Sequence, residues 1–214
     1  MKFLAMFRDS ARELKSPRCL ATTGILCALF VVLNIFAPGF GETLRITFGY
    51  LALATIGMLY GPVVAVLAAV PCDVLVGFLG PYAMIPAFIP NRMLEGFIYG
   101  IFLYGLGSRG TDNNRGALWA AWQVMRITLS RFIIMMLCYF IINSFIVLIF
   151  ILPPGRAAEI MSEQSFWAWA WFRSGWKNIA QLPVDLVLMF TLLPVINKAY
   201  QRALRGFSRE RKSG

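Results

Sequence analysis

The sequence predicts an all-α polytopic membrane protein with six transmembrane helices. Three observations carry this expectation. Apolar residues make up 59% of the 214 and charged residues only 14%, where a soluble domain carries about a quarter charged; mean hydropathy is +0.69. The apolar residues fall in long runs, and residues 20–36 contain no charge at all; about 20 such residues cross the hydrocarbon core as a helix. The runs also lack the two-residue alternation of barrel strands, and lipid tolerates no third backbone form.

The chain reads as one membrane domain over residues 1–214, with spans at roughly 19–37, 46–60, 63–79, 90–107, 129–152 and 173–196. The first span follows a basic arm (1–18). It is too long for the apolar core of a signal peptide and lacks a small-residue cleavage site, so it is expected to be retained. The second span is short, and Gly61-Pro62 leaves almost no loop before the third. The fifth has a possible earlier start near Ala117, as a longer tilted helix.

Orientation follows from the basic residues. The arm carries Lys2, Arg8, Arg12, Lys15 and Arg18; the loop after span four carries Arg109 and Arg115; the tail (198–214) carries Lys198, Arg202, Arg205, Arg209, Arg211 and Lys212. Six spans put all three on one side, which the positive-inside rule makes cytoplasmic. The net charge of +10 is thus a topology signal and an attraction to anionic lipid, not the footprint of a nucleic-acid partner.

Several chemistries are excluded or left unsupported. The four cysteines, Cys19, Cys27, Cys72 and Cys138, form no CxxC pair and read as buried structural thiols. Histidine is absent, and no phosphate-binding GxxxxGK[ST] loop is present, so ATP use would belong to another chain. Asp73 and Asp185 lie in no recognisable intramembrane-enzyme context. No internal repeat marks an autonomous secondary carrier. No metal or cofactor is called for.

Against this background, cations near the outer boundary stand out: Arg45 before span two, Arg92 opening span four, and Arg173 with Lys177 opening span six. Each has a bland reading, in headgroup snorkelling or in pairing: Arg92 with Glu95, and Lys177 with Asp185 or Glu95. Together they predict an outward-opening, positively lined pocket for an anionic ligand, since intramembrane ionisable residues face the bundle interior or a wet cavity. Residues 173, 177, 181 and 185 recur at four-residue spacing as one stripe. Tyr50, Phe48, Tyr82 and Phe88 would wall the pocket, with Trp167, Trp169, Trp171 and Phe172 near its mouth. The outer loop (153–171) fits either a headgroup-level aromatic belt or a lid. Arg126 and Arg131 read as snorkelling at the cytoplasmic end of span five.

The run TLRITFGYLALATIGMLYGPVVAVLAAVPCDVLVGFLGPY resembles the central segment of the substrate-binding (S) components of energy-coupling-factor (ECF) transporters, most closely the folate-specific ones. The matching features are Arg45, the Gly57-Met58-Leu59-Tyr60-Gly61-Pro62 turn, Asp73 and Gly80-Pro81-Tyr82. EGFIYGIFLYG resembles the family's Gly-x-x-Tyr-Gly helix at Gly96, Tyr99 and Gly100. Asn143-Ser144 resembles its Asn-Thr pair, and RSGWKNIAQLP its Arg-x3-Lys-Asn-x4-Pro segment at Arg173, Lys177, Asn178 and Pro183. Leu51-Ala52-Leu53 and Pro71 depart from the family pattern.

The resemblance implies a six-helix vitamin-binding subunit without ATPase activity in a prokaryotic plasma membrane. It would dock on a transmembrane coupling (T) protein that carries two ATP-binding-cassette ATPases. The implied substrate-binding set is Arg45, Tyr50, Asp73, Tyr82, Arg92, Asn143, Arg173 and Lys177, with folate or a reduced folate as ligand. Folate suits such a pocket: its glutamate tail is a dianion for arginine or lysine, and its pterin is a flat ring for aromatic stacking. Pantothenate, thiamine or a deazapurine are the alternatives within the family. Docking is implied for the small residues Ala21, Gly24 and Ala28, although their spacing alone fits intramolecular packing equally well. Asp73 lies about 16 Å along span three from the cytoplasmic turn. Two roles fit it: reading the pterin edge, or balancing one of the cations.

Overall fold

A computed structural model of the chain describes the backbone at residues 2–37, 39–40, 44–45, 48–80, 84–106, 117–163 and 165–213, and side chains at 5–37, 48–80, 84–106, 121–153, 155–163 and 165–202. Helices dominate. They run α1 (Lys2–Glu13), α2 (Pro17–Ile35), α3 (Tyr50–Tyr60), α4 (Pro62–Leu79), α5 (Phe88–Leu103), α6 (Ala117–Ile134), α7 (Asn143–Ile146), α8 (Pro154–Glu163), α9 (Phe166–Ala170) and α10 (Trp176–Ser213). Wide π turns over Met135–Ile142, Val147–Ile151 and Trp171–Gly175 join α6 to α7, extend α7, and join α9 to α10. Two-residue strands β1 (Gly39–Phe40) and β2 (Leu44–Arg45) pair antiparallel between α2 and α3, with Gly39 opposite Arg45.

Among the described residues, four helical rods are long and apolar enough to cross a membrane: Pro17–Ile35, Pro62–Leu79, Ala121–Ile151 and Phe166–Arg202. Their outward faces carry large apolar side chains, among them Ile25, Phe36, Phe78, Ile149, Phe150 and Val187, as contact with lipid requires. The other two expected spans are shorter. α5 has 16 residues and α3 has 11, all but one of them buried. A helix that is apolar all round belongs inside a bundle, and α3 packs against α2, α4, α5 and α10. The helix expected as the second span therefore begins at Tyr50, and Arg45 lies in β2, not at the start of a helix. The sixth begins at Phe166, which places Arg173 two turns inside it.

Close packing of α3, α4 and α5 rests on glycine. A Cβ on Gly100 would lie 2.2 Å from Pro62 Cα, and one on Gly96 would lie 2.8 Å from the Ala65 carbonyl oxygen. We expect Gly100→Ala to force α5 away from α4 and to lower stability by about 1–3 kcal/mol, the usual penalty of overpacking. A thermal melt in detergent measures it.

The arm before span one is a helix with a structural task. Ser10, fully buried on α1, donates to the Tyr60 carbonyl (2.6 Å) and accepts from the amides of Val63 (3.1 Å) and Val64 (3.4 Å). It thus caps α4 from another helix, where Gly61 at φ +85° and Pro62 at the first helical position supply no capping side chain. At the same end, the Tyr60 and Tyr200 hydroxyls meet at 3.0 Å.

Candidate functional site

Asp73 meets Arg92 and Pro62 meets Gly100, so α4 and α5 run antiparallel; Asn91 meets Cys138 and Tyr104 meets Arg126, so α5 and the rod that begins with α6 do likewise. The C-terminal end of α4, the N-terminal end of α5, the Ile151 end of the fifth rod and the Phe166 end of the sixth therefore lie on one side of the bundle. Below that side sits a charged cluster in an otherwise apolar interior.

Arg92 on α5 holds two carboxylates. Its Nε is 3.3 Å from Asp73 Oδ1 on α4, and its Nη1 donates to Glu95 Oε2 at 2.5 Å, one turn along its own helix. Its guanidinium carbon lies 5.3 Å from the Phe30 ring centre on α2. Glu95, at 1% exposure, also accepts from the Tyr139 hydroxyl (2.9 Å) and faces Arg131 Nη1 at 3.9 Å. Arg131 is 3% exposed. It donates to Asp185 on α10 through Nε (2.9 Å) and Nη2, and to the Tyr99 hydroxyl through Nη1 (2.9 Å). The Tyr50 ring lies against it, 4.1 Å from the guanidinium carbon to the ring centre. Gln181 Nε2 reaches the other Asp185 oxygen at 3.4 Å.

The snorkelling expected of Arg131 is therefore wrong. Its side chain runs into the protein because a carboxylate 54 residues away in sequence is there to meet it, and no spacing rule in the chain announces such a pair. For the same reason Lys177 does not pair with Asp185, whose oxygens go to Arg131 and Gln181. Lys177 and Arg173 make no ion pair among the described residues; Arg173 instead lies 5.5 Å from the Trp169 ring centre. Arg92 and Glu95 do pair, as their three-residue spacing allows.

The cluster thus brings together Tyr50, Asp73 and Arg92 of the sequence-derived set. Arg173 and Lys177 lie on the same rod as Asp185, two to three turns nearer its Phe166 end. Asn143 is half-buried on α7 and makes no side-chain hydrogen bond among the described residues. The Arg45 side chain and Tyr82 lie outside the described residues. Sequence reasoning missed Arg131, Tyr99, Tyr139 and Asp185 as members; the one available signal was an arginine deep in an apolar run.

Two buried polar atoms here, Tyr50 Oη and Asn91 Oδ1, have no hydrogen-bond partner among the described residues, nor has Asn178 Nδ2 next to Lys177 in sequence. Buried polar groups are seldom left so, and a bound polar ligand would supply partners. At the Phe166 end, Phe140, Phe145, Phe166, Trp167, Trp169 and Trp171 form one aromatic cluster, with Trp167 stacked on Phe140 at 6.3 Å.

Gly24 and Ala28 line an apolar groove of about 420 Å³ between α2 and α4, opposite Leu67, Ala68 and Pro71. A Cβ on Gly24 would meet nothing within 4 Å, so its smallness is not explained by packing within the chain. Ala21 is exposed on the same helix.

The profile of the family described as "ECF-type riboflavin transporter, S component" matches residues 15–195. Among solved structures, the fold is similar to that of FolT bound with folic acid, at TM-score 0.58 and 23% identity, over 83% of this chain and 93% of that one. No curated protein sequence matches the chain.

Proposed function

The chain belongs to the ECF-type riboflavin transporter S-component family, and on that premise we propose that it is a folate-binding S component. It is a transporter subunit of a multi-pass membrane family, not an enzyme. The proposed protein has six spans, with both termini cytoplasmic, in a prokaryotic plasma membrane. Its substrate set is Arg45, Tyr50, Asp73, Tyr82, Arg92, Asn143, Arg173 and Lys177. A coupling protein and two ATP-binding-cassette ATPases supply the energy.

The observation that carries the folate reading is the unequal pairing of charges. Arg92 and Arg131 are matched by carboxylates, whereas Arg173 and Lys177, nearer the end of the bundle, meet none among the described residues. A dianionic glutamate tail gives those two cations counterions in a setting of low dielectric. The similarity to folate-bound FolT supports the same reading. Riboflavin, which the family description favours, is neutral and would leave both cations unanswered. Mass spectrometry of ligand extracted from the purified chain decides between them: folate is expected, and riboflavin in its place would establish the second reading.

The groove between α2 and α4 is the proposed seat of the coupling protein. Small residues admit a neighbouring helix closely in lipid. Gly24→Leu is expected to abolish co-purification of the coupling protein while leaving vitamin binding intact, since Gly24 contacts no part of the proposed pocket. Loss of both would contradict the assignment.

A further inference from the structure

Arg92 has the position of an anion receptor but not its electrostatics. It already faces two carboxylates, Asp73 and Glu95, and one face of its guanidinium is covered by Phe30. The whole cluster holds three carboxylates (Asp73, Glu95, Asp185) against two arginines (Arg92, Arg131), one negative charge in excess. A ligand carboxylate placed here would be the fourth anion in a poorly solvated site, and unpaired buried charge is strongly disfavoured.

What remains unused is a neutral pattern. The Nε–Nη2 edge of Arg92 is half occupied, because Nε meets Asp73 Oδ1 while Nη2 and Asp73 Oδ2 make no hydrogen bond among the described residues. Glu95 fixes the guanidinium from the opposite side and is itself held by Tyr139. Asp73 is the one carboxylate of the three that keeps appreciable exposure, 15% against 1% and 3%. A hydrogen-bond donor and an acceptor thus stand side by side on a rigid support, which matches a ring edge presenting N–H next to C=O or a ring nitrogen.

We infer that Arg92, locked by Glu95, presents Asp73 and its own Nη2 to the neutral N–H/acceptor edge of the ligand's heteroaromatic ring and does not bind the ligand's carboxylates. This rests on the folate reading and deepens it. The two ends of the ligand are read by different groups, the ring by Asp73 with Arg92, the anionic tail by Arg173 with Lys177.

The test uses the purified full chain and three ligands: folic acid, pterin (ring without tail) and p-aminobenzoylglutamate (tail without ring). Arg92→Gln/Glu95→Gln removes one charge of each sign and keeps the cluster's net charge. It is expected to weaken pterin by about tenfold or more, the loss of a charged hydrogen bond, and to leave p-aminobenzoylglutamate within about twofold. If that variant does not fold, Arg92→Lys, which keeps the charge and removes the Nε–Nη2 edge, is expected to give the same split. Weakened tail binding with unchanged ring binding would overturn the inference, as would equal weakening of both fragments. A wild-type chain that binds none of the three ligands would instead overturn the folate reading on which it stands.

Discussion

Arg131→Ala is expected to abolish the folded protein. The substitution leaves Asp185 buried without its cation and takes a donor from Tyr99 and a facing charge from Glu95. Breaking one partner of a buried pair costs about 3–5 kcal/mol, and a domain near this size shifts about 2–4 °C in Tm for each kcal/mol. Size-exclusion chromatography in detergent is expected to show aggregate in place of a monodisperse peak, or a melt lowered by roughly ten degrees. The companion Arg131→Met/Asp185→Leu removes both charges and is expected to recover most of the folded fraction, because a paired charge and a well-packed apolar pair are close in energy. A single variant that melts like the parent would mean that the Arg131–Asp185 contact does not support the bundle.

Arg173→Ala/Lys177→Ala is expected to act on binding and not on folding. Neither cation makes an ion pair among the described residues, so its removal orphans no carboxylate. Hydrogen bonds to charged groups contribute about 1.5–3 kcal/mol each, so losing two predicts folate affinity lower by at least about 100-fold. Pterin, which has no tail, is expected to bind both proteins alike. The parent's folate affinity is also expected to fall with salt, since a site near the end of the bundle is open to screening. Equal folate affinity in parent and variant would remove these residues from the site.

What the sequence announces and what it conceals follow from the range of the interactions. Long apolar runs, Gly61-Pro62 with almost no loop, and Gly96 with Gly100 in a small-residue helix are local features, and each has its counterpart in the fold. The span from Pro62 to Leu79 is within a residue of its expected bounds, and α6, which leads into the fifth rod, does start at Ala117. Three things were hidden. α3 is short and buried at all but one of its residues, and an apolar run without periodicity does not distinguish lipid from protein around it. α1 docks on the bundle through Ser10, whose partner is in a turn 50 residues away. Arg131 was placed at a boundary by its neighbours in sequence, while its true partners sit on α5 and α10. The candidate site was legible as a set of cations; that Arg92, together with Arg131 from outside that set, would be neutralised inside the protein while Arg173 and Lys177 make no ion pair among the described residues was not.

The most direct test is a tryptophan-fluorescence titration of the purified full chain with folic acid and, separately, riboflavin. Trp167, Trp169 and Trp171 lie near the proposed mouth, and Trp169 lies against Arg173, so ligand arrival at the cationic end is expected to change their emission. Saturable binding of folic acid at one site per chain, with no saturable response to riboflavin, is the predicted result. Saturable riboflavin binding without folate binding would contradict it.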